Sequence, residues 1–500
     1  MEMPTNMTKN VVVIGSGIGG LSAAALLAKE GFDVTVLEKN AYFGGRIRVF
    51  KDKGFTVDAG PSWYLMPEVF ENYFSLFGKK VSDFYKLVRL DPSYRVYFGN
   101  KDYVDIHSDV EKNYDVFEKI EKNGGESLKR YIEQAGMKYQ IAMDQFIYKD
   151  YRTIFDFLSL RTIFAGMKFD IFSNLDDFIK KYFKDKRSRQ LLEYHSVFLG
   201  NSPYFTPSLY TILSYADMIK GIWYPIGGFG EVANALVKLG KSLGAKYLTR
   251  QRVISIDVKD GKAIGVKTES DFFEADFVIA NSDYMHTEME LLDPEYRNYD
   301  MKYWEKKVFG PSMFKFCFGL DKKVDSLLHH TLYFDQDWEK HFDSIFKDPK
   351  WPESPSYYIG TPSKSDPTIA ESGKEVVFFL VPIAPGLDDH LEKRLSFRSK
   401  ILQNFKEITG EDIESHIEYE NMCTVSDCQK MFNAYKGTAL GLAHTLNQSA
   451  AFRPLLINKK VDNLFYAGQM TQPGVGVPMV LISGQLAANL VMGKRKCPTT

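Results

Sequence analysis

The sequence predicts an α/β protein in which separated stretches of chain assemble a nucleotide-binding domain of the Rossmann type. A mixed α+β domain and a helical, ring-rich region complete it. Three observations carry this expectation. A glycine-rich turn between two β-branched runs opens the chain, a second glycine turn before an alanine-rich helix closes it, and aromatic residues crowd the stretch between. With 500 residues the chain exceeds what one core usually fills, so at least two domains are expected.

The opening element is Asn10-Val-Val-Val-Ile14, a continuous apolar run of the kind found in strands buried on both faces of a parallel sheet. Gly15-Ser-Gly17-Ile-Gly-Gly20 follows, then a helix from Leu21 to Glu30 and a second strand, Phe32 to Leu37, closed by Glu38. Gly15 permits a tight turn, Gly17 lets the backbone approach a pyrophosphate, and Gly20 lets helix and strand pack closely. The helix N-terminus directs unpaired N–H groups at phosphate. Glu38 is placed to accept from a ribose hydroxyl, and its charge disfavours a 2′-phosphate. Four glycines inside the run from Val11 to Ala28 argue against a signal peptide or membrane span there, and no other stretch has the roughly 20 apolar residues a span needs.

Two further segments select the dinucleotide. Gly44-Gly45-Arg46 and Asp58-Ala59-Gly60-Pro61 resemble the extended FAD signature of the amine oxidase and carotenoid desaturase superfamily. At the other end, Asn463 to Gly468-Gln469 reads as a strand ending in glycine, followed by Pro473-Gly474-Val475-Gly476-Val477-Pro478 and a helix from about Met479. Proline in the first helical turn is tolerated because its missing N–H has no helical partner. A second helix N-terminus is thus aimed at a glycine-lined space, suited to the pyrophosphate or the flavin pyrimidine edge. FAD, bound extended between the two chain ends, is the expected cofactor.

Taken with Trp223-Tyr-Pro225-Ile-Gly227-Gly228-Phe-Gly230, Phe309-Gly-Pro-Ser312, Asn433-Ala-Tyr-Lys-Gly437 and Gln448-Ser-Ala-Ala-Phe452-Arg453-Pro454, these motifs resemble the bacterial phytoene desaturase family over essentially the whole chain. The resemblance implies that FAD accepts hydride from a long linear C40 polyene, phytoene being taken stepwise toward lycopene. It implies peripheral attachment to a membrane, expected on the cytoplasmic face; the final electron acceptor, oxygen or a quinone, stays open. The cofactor-binding positions expected are Gly15, Gly17, Gly20, Glu38, Lys39, Gly44, Gly45, Arg46, Gly60, Pro61, Val253, Gly468, Gln469, Gly476, Val477 and Pro478. Many relatives carry Thr-His-Pro-Gly where this chain has Thr471-Gln472-Pro473-Gly474, so position 472 is assigned no acid–base role, and no catalytic residue is named.

The remaining residues fit flavin chemistry. Nine histidines and four cysteines show no metal-ligand spacing, and no Gly-x-Ser-x-Gly elbow or second dinucleotide fingerprint occurs. The allylic C–H bonds of a polyene are too weakly acidic for a side-chain base, so catalysis should lie in positioning and in a dry, ring-lined tunnel. Aromatics make up 14% of the chain, and twenty fall within residues 139–224. Residues 153–172 form a wide apolar surface that suits either a membrane interface or a buried helix. A net charge of −1 argues against a nucleic-acid partner and leaves membrane attachment to apolar contact.

The expected division is 1–95, 223–290 and 455–500 for the FAD domain. Residues 96–222 form the helical, aromatic-rich, membrane-facing cap, and 291–454 the substrate domain. Other readings stay open: desaturation of dehydrosqualene, 3,4-desaturation or terminal oxidation of a carotenoid, flavin-dependent polyene isomerisation, and a non-catalytic lipid-binding escort.

Overall fold

Five short strands line up in parallel. The inner ones are β-branched, apolar runs that pack under helices on one face and against a small antiparallel sheet (Val253–Lys259, Lys262–Thr268, Phe272–Glu274) on the other, while Lys246–Leu248 is a partly exposed edge. In the computed structural model, which describes residues 8–153, 170, 173–334, 337–494 and 497, Asn10–Ile14 is the central strand. It pairs with Asp33–Leu37 on one side and Phe277–Ala280 on the other. Lys246–Leu248 and Leu464–Tyr466 form the edges. Val11, Val13, Val34, Val36, Val278 and Ile279 are fully buried, each worth about 1.5–3 kcal/mol against exposure.

The helix Ile18–Lys29 is buried from Ile18 to Ala28 and packs against the helices Gly230–Ser242 and Val477–Val491. The approach of first to last helix is backbone-close: a Cβ on Gly484 would lie 2.1 Å from the Gly19 carbonyl oxygen. Ser22 Oγ donates to the Leu481 carbonyl at 2.8 Å across the same crossing. The two ends of the chain therefore form one layer.

A seven-stranded sheet makes the second layer. Its order is Ile417–Cys423, Ser312–Leu320, Glu375–Ile383, Tyr357–Gly360, His330–Tyr333, Tyr94–Gly99 and Asp102–Ile106. All pairs are antiparallel except His330–Tyr333 with Tyr94–Gly99. The nine residues of Ser312–Leu320 are all buried. This sheet recruits residues 94–106 as a hairpin, although the sequence reading begins a helical region at 96. The ring-rich run Tyr94-Arg-Val-Tyr-Phe98, which favours a strand, and a turn at Asn100-Lys101, with Lys101 at φ +55°, explain the difference. Helices take over at Val110–Ile120 and Gly124–Gln145. Most of residues 153–172, the segment expected at a membrane interface, lie outside the described residues.

Candidate active site

One cavity runs from the ends of the parallel strands to the face of the large sheet. Its first wall is the opening turn. The Gly15 amide donates to the Leu37 carbonyl at 2.8 Å, with Gly15 at φ +93°, a backbone conformation that favours glycine. Gly17 and Gly44 bridge in parallel, and the Gly44 amide donates to Ser16 O at 3.0 Å. Glu38 is buried behind them. Its Oε2 accepts from the Ser16 amide (3.0 Å) and hydroxyl (2.7 Å), and its Oε1 from the Asn40 amide and carboxamide (2.8 Å each).

Opposite lies Arg46. Its backbone is clasped by Gly60, where a Cβ would sit 1.9 Å from the Arg46 carbonyl oxygen. Its guanidinium lies 4.9 Å over the Phe432 ring, while Nε and Nη2 are buried without a partner among the described residues. Burial lowers the Arg46 pKa, opposed by Asp283, whose carboxyl is itself pushed up to about 6 by burial. Lys315, on the buried strand Ser312–Leu320 of the large sheet, donates to the carbonyls of Asp58 (2.7 Å) and Gly60 (3.2 Å) and so fixes the Gly60-Pro61 turn.

The third wall is the C-terminal loop. Gly468, Gly474 and Gly476 all have positive φ (+121°, +139°, +111°), and Pro478 stands in the first turn of Val477–Val491. Arg453 is fully buried beneath the loop and donates to the carbonyls of Gln469 (2.6 Å) and Thr471 (2.9 Å). His444 supports the next residues: its Nε2 accepts from the Val475 amide at 3.2 Å, which assigns the proton to Nδ1, facing the Tyr210 hydroxyl. Burial, aided by Arg453, pushes the His444 pKa far below its usual range, so the ring is neutral. Gln472 binds the backbone of Tyr151 through both its amide oxygen (2.9 Å) and nitrogen (2.7 Å), a tether rather than an acid–base group.

Beyond the cradle the cavity widens between rings and aliphatic side chains, among them Trp63, Phe198, Leu332, Phe334, Trp338 and Phe342. Of the fifteen rings in residues 139–224 that are among the described residues, only Tyr194 and Phe198 line it; Tyr139, Phe178 and Phe183 fill the core. Composition cannot distinguish a ring facing a cavity from one facing a helix; the large sheet adds Met313, Leu332, Tyr358 and Leu380 to the wall, and the helix Trp338–Phe346 adds Trp338 and Phe342. His341 also faces the chamber, but its Nδ1 accepts from the Ser356 amide (3.1 Å) and its Nε2 donates to the Pro382 carbonyl (2.9 Å).

Every predicted cofactor-binding position lines this one cavity except Gly20, which sits behind it. A Cβ there would lie 2.3 Å from the Gly15 carbonyl oxygen, so Gly20 serves the packing of the turn rather than contact. Lys39 lines the wall but spends its ammonium on the Lys430 carbonyl (3.0 Å) and Asn433 Oδ1 (2.6 Å). Sequence reasoning assigned no role to Asn281, Lys315, Arg453 or His444. Asn281 carried a usable signal, since a polar residue just past a parallel strand belongs to the ligand crevice; Lys315 is brought in from a distant segment, and Arg453 and His444 meet the loop only through the fold of the chain before it.

The architecture and the cradle define a class, the FAD-dependent oxidoreductases. FAD fits on three counts: two helix N-termini face the cavity, Gly45 and Gly60 keep the backbone within reach, and Arg46 holds buried donors without an acceptor among the described residues. Residues 18–492 match the family of flavin-containing amine oxidoreductases. Curated relatives include a carotenoid 3,4-desaturase of Haloarcula japonica, 42% identical over 97% of this chain and 98% of its own. A zeta-carotene-forming phytoene desaturase of Myxococcus xanthus is 34% identical over 97% and 94%. A 4,4'-diapophytoene desaturase of Staphylococcus aureus is 31% identical over 96% and 98%. The chain belongs to the flavin-containing amine oxidoreductase family and, within it, to the carotenoid desaturases: it is an FAD-dependent oxidoreductase acting on CH–CH bonds. The fold is shared with putrescine oxidase (TM-score 0.65, 14% identity, 98% of this chain and 100% of the other) and with an oxidoreductase from Methanosarcina mazei (TM-score 0.63, 19% identity, 97% and 100%).

Proposed function

We propose that the protein desaturates a linear C40 carotenoid threaded through the apolar chamber toward the cradle. The observation that carries this reading is the continuity of the cavity from Gly15 and Arg46 to Phe334 and Trp338. When bound, FAD supplies the hydride acceptor. The chain's own part is to align the polyene, exclude water and face developing positive charge with rings, each worth about 0.5–2 kcal/mol. With both nitrogens of His341 engaged, the chamber favours positioning over side-chain acid–base chemistry.

Two substrates fit. Identity of 42% to a 3,4-desaturase, against 34% and 33% to phytoene desaturases, supports the 3,4-desaturation of an already conjugated carotenoid, and this reading comes first. Phytoene taken toward lycopene is the second. Holoprotein given phytoene or lycopene in liposomes, without oxygen, separates them: flavin bleaching and new long-wavelength bands should arise with lycopene. Bands from phytoene alone would favour the second reading, and no bleaching with either would overturn the function. Restoring turnover with oxygen or with a quinone then identifies the electron acceptor.

The substrate lives in lipid, and we place a lipid contact on the segments 199–210 and 444–452, which are hydrogen-bonded to each other. They expose Phe205 (51%), Leu446 (47%) and Phe452 (46%), and no helix among the described residues is long and apolar enough to cross a membrane. A Phe205→Asp/Phe452→Asp double change should abolish co-flotation with liposomes while the FAD spectrum is kept; unchanged flotation would remove this contact.

A further inference from the structure

Arg453 is an unusual cation. It is fully buried, and among the described residues its guanidinium donates only to backbone carbonyls, those of Thr471, Gln469, Gln448 (3.1 Å) and Leu442 (3.5 Å). Among the described residues no carboxylate pairs with it. A buried charge satisfied by dipoles alone keeps its field, because no counter-charge cancels it.

The same bonds orient the loop above it. In a trans peptide the N–H points opposite to the C=O, so turning the Gln469 carbonyl to Arg453 turns the Met470 amide the other way. The amides of Gln469, Met470, Gly476 and Val477 have no acceptor among the described residues, and all four residues line the cavity. The helix Val477–Val491 adds its positive end at the same place. Guanidinium, amides and helix end therefore point one sign of charge at one edge of the cradle.

We propose that Arg453 is a positioning residue that raises the electron affinity of the cofactor: it holds the 469–477 loop with its amides toward the cavity, and its unneutralised charge stabilises the negative charge FAD gains on reduction. The inference rests on FAD lying with its flavin end at this loop. Arg453 touches no reacting atom in this scheme; it acts through the loop and through space.

The test is the ratio of affinities for reduced and oxidised FAD, read from the midpoint potential of holoprotein by dye equilibration. In R453M that ratio should fall on the order of tenfold or more, while R453K, which keeps a charge but not the fork, should stay within about threefold of wild type. A wild-type ratio in R453M, an equal fall in R453K and R453M, or equal weakening of both redox forms would each overturn the proposal; the last would mean a structural brace only. If R453M does not take up FAD, R453K decides alone. Its ratio should fall as pH rises through deprotonation of the introduced amine, relative to wild type, and parallel pH curves would overturn the inference.

Discussion

The Asn281 carboxamide joins the two ends of the chain: its Oδ1 accepts from the Gly20 amide at 2.8 Å, and its Nδ2 donates to the Ala467 carbonyl at 3.0 Å. Gly20 is in the first turn of the opening helix, and Ala467 follows the last strand, so one side chain fixes the spacing of both cradle walls. Asn281→Ala leaves a buried amide and carbonyl unpaired, which costs about 1–3 kcal/mol. The expected result is a lower melting temperature and weaker FAD binding, measured by thermal unfolding with and without added FAD. A melting temperature equal to wild type in both states would show that water replaces the bridge.

Gly60→Ala should separate cofactor binding from folding. The new methyl would stand 1.9 Å from the Arg46 carbonyl oxygen, a backbone atom that cannot swing aside, so the Arg46 turn must move. FAD affinity should drop by more than about tenfold, with far-ultraviolet circular dichroism unchanged. Retention of stoichiometric FAD through gel filtration would contradict this.

Lys39 acts as a latch. Its ammonium ties the end of the second strand to Lys430 and Asn433, while Asn40 Nδ2 donates to Met431 O at 3.3 Å and Arg48 contacts the Met431 sulfur. The segment 428–433, part of the cavity wall, is thereby held over the cradle. Lys39→Met removes two charge-assisted bonds at a half-buried site and should speed FAD release roughly three- to tenfold. Recovery of free-FAD fluorescence after dilution reads the rate; a rate within error of wild type would mean the segment is held without Lys39.

Glu193 should make stability fall with rising pH. Burial pushes its carboxyl up to about 8, with Asp176 beside it adding to the shift. The folded protein thus keeps a proton that the unfolded chain loses from about pH 4.5 upward, and the stability this gives at low pH is lost progressively until about pH 8. Glu193→Gln cannot ionise, so relative to wild type it should gain on the order of 1–3 kcal/mol between pH 5 and pH 8.5. Urea unfolding at the two pH values measures the difference; a constant offset would place the Glu193 carboxyl outside this titration.

The strand–turn–helix of residues 10–30 and the final glycine loop are legible because their chemistry is local. Glycine at a positive-φ turn, an apolar run and a helix end need no distant partner to be recognised. The substrate chamber is not legible in this way. The ring count in residues 139–224 pointed to the cap, yet Trp63, Phe334, Trp338 and Phe342 form much of the wall. A ring is apolar whether it faces a void or a neighbour, and only packing decides which.

The sequence by itself determined the cofactor class, the parallel sheet and the return of the last helix to the first, since each rests on backbone geometry written into short motifs. Tertiary structure alone decided which side chains hold that geometry in place. Asn281, Lys315, Arg453 and His444 act on glycine loops outside their own segments, 257 residues away for Lys315 and Asp58 and 16 residues away for Arg453 and Gln469. Their roles depend on burial and on which carbonyl or amide lies within 3 Å or so, quantities that exist only once the chain has folded.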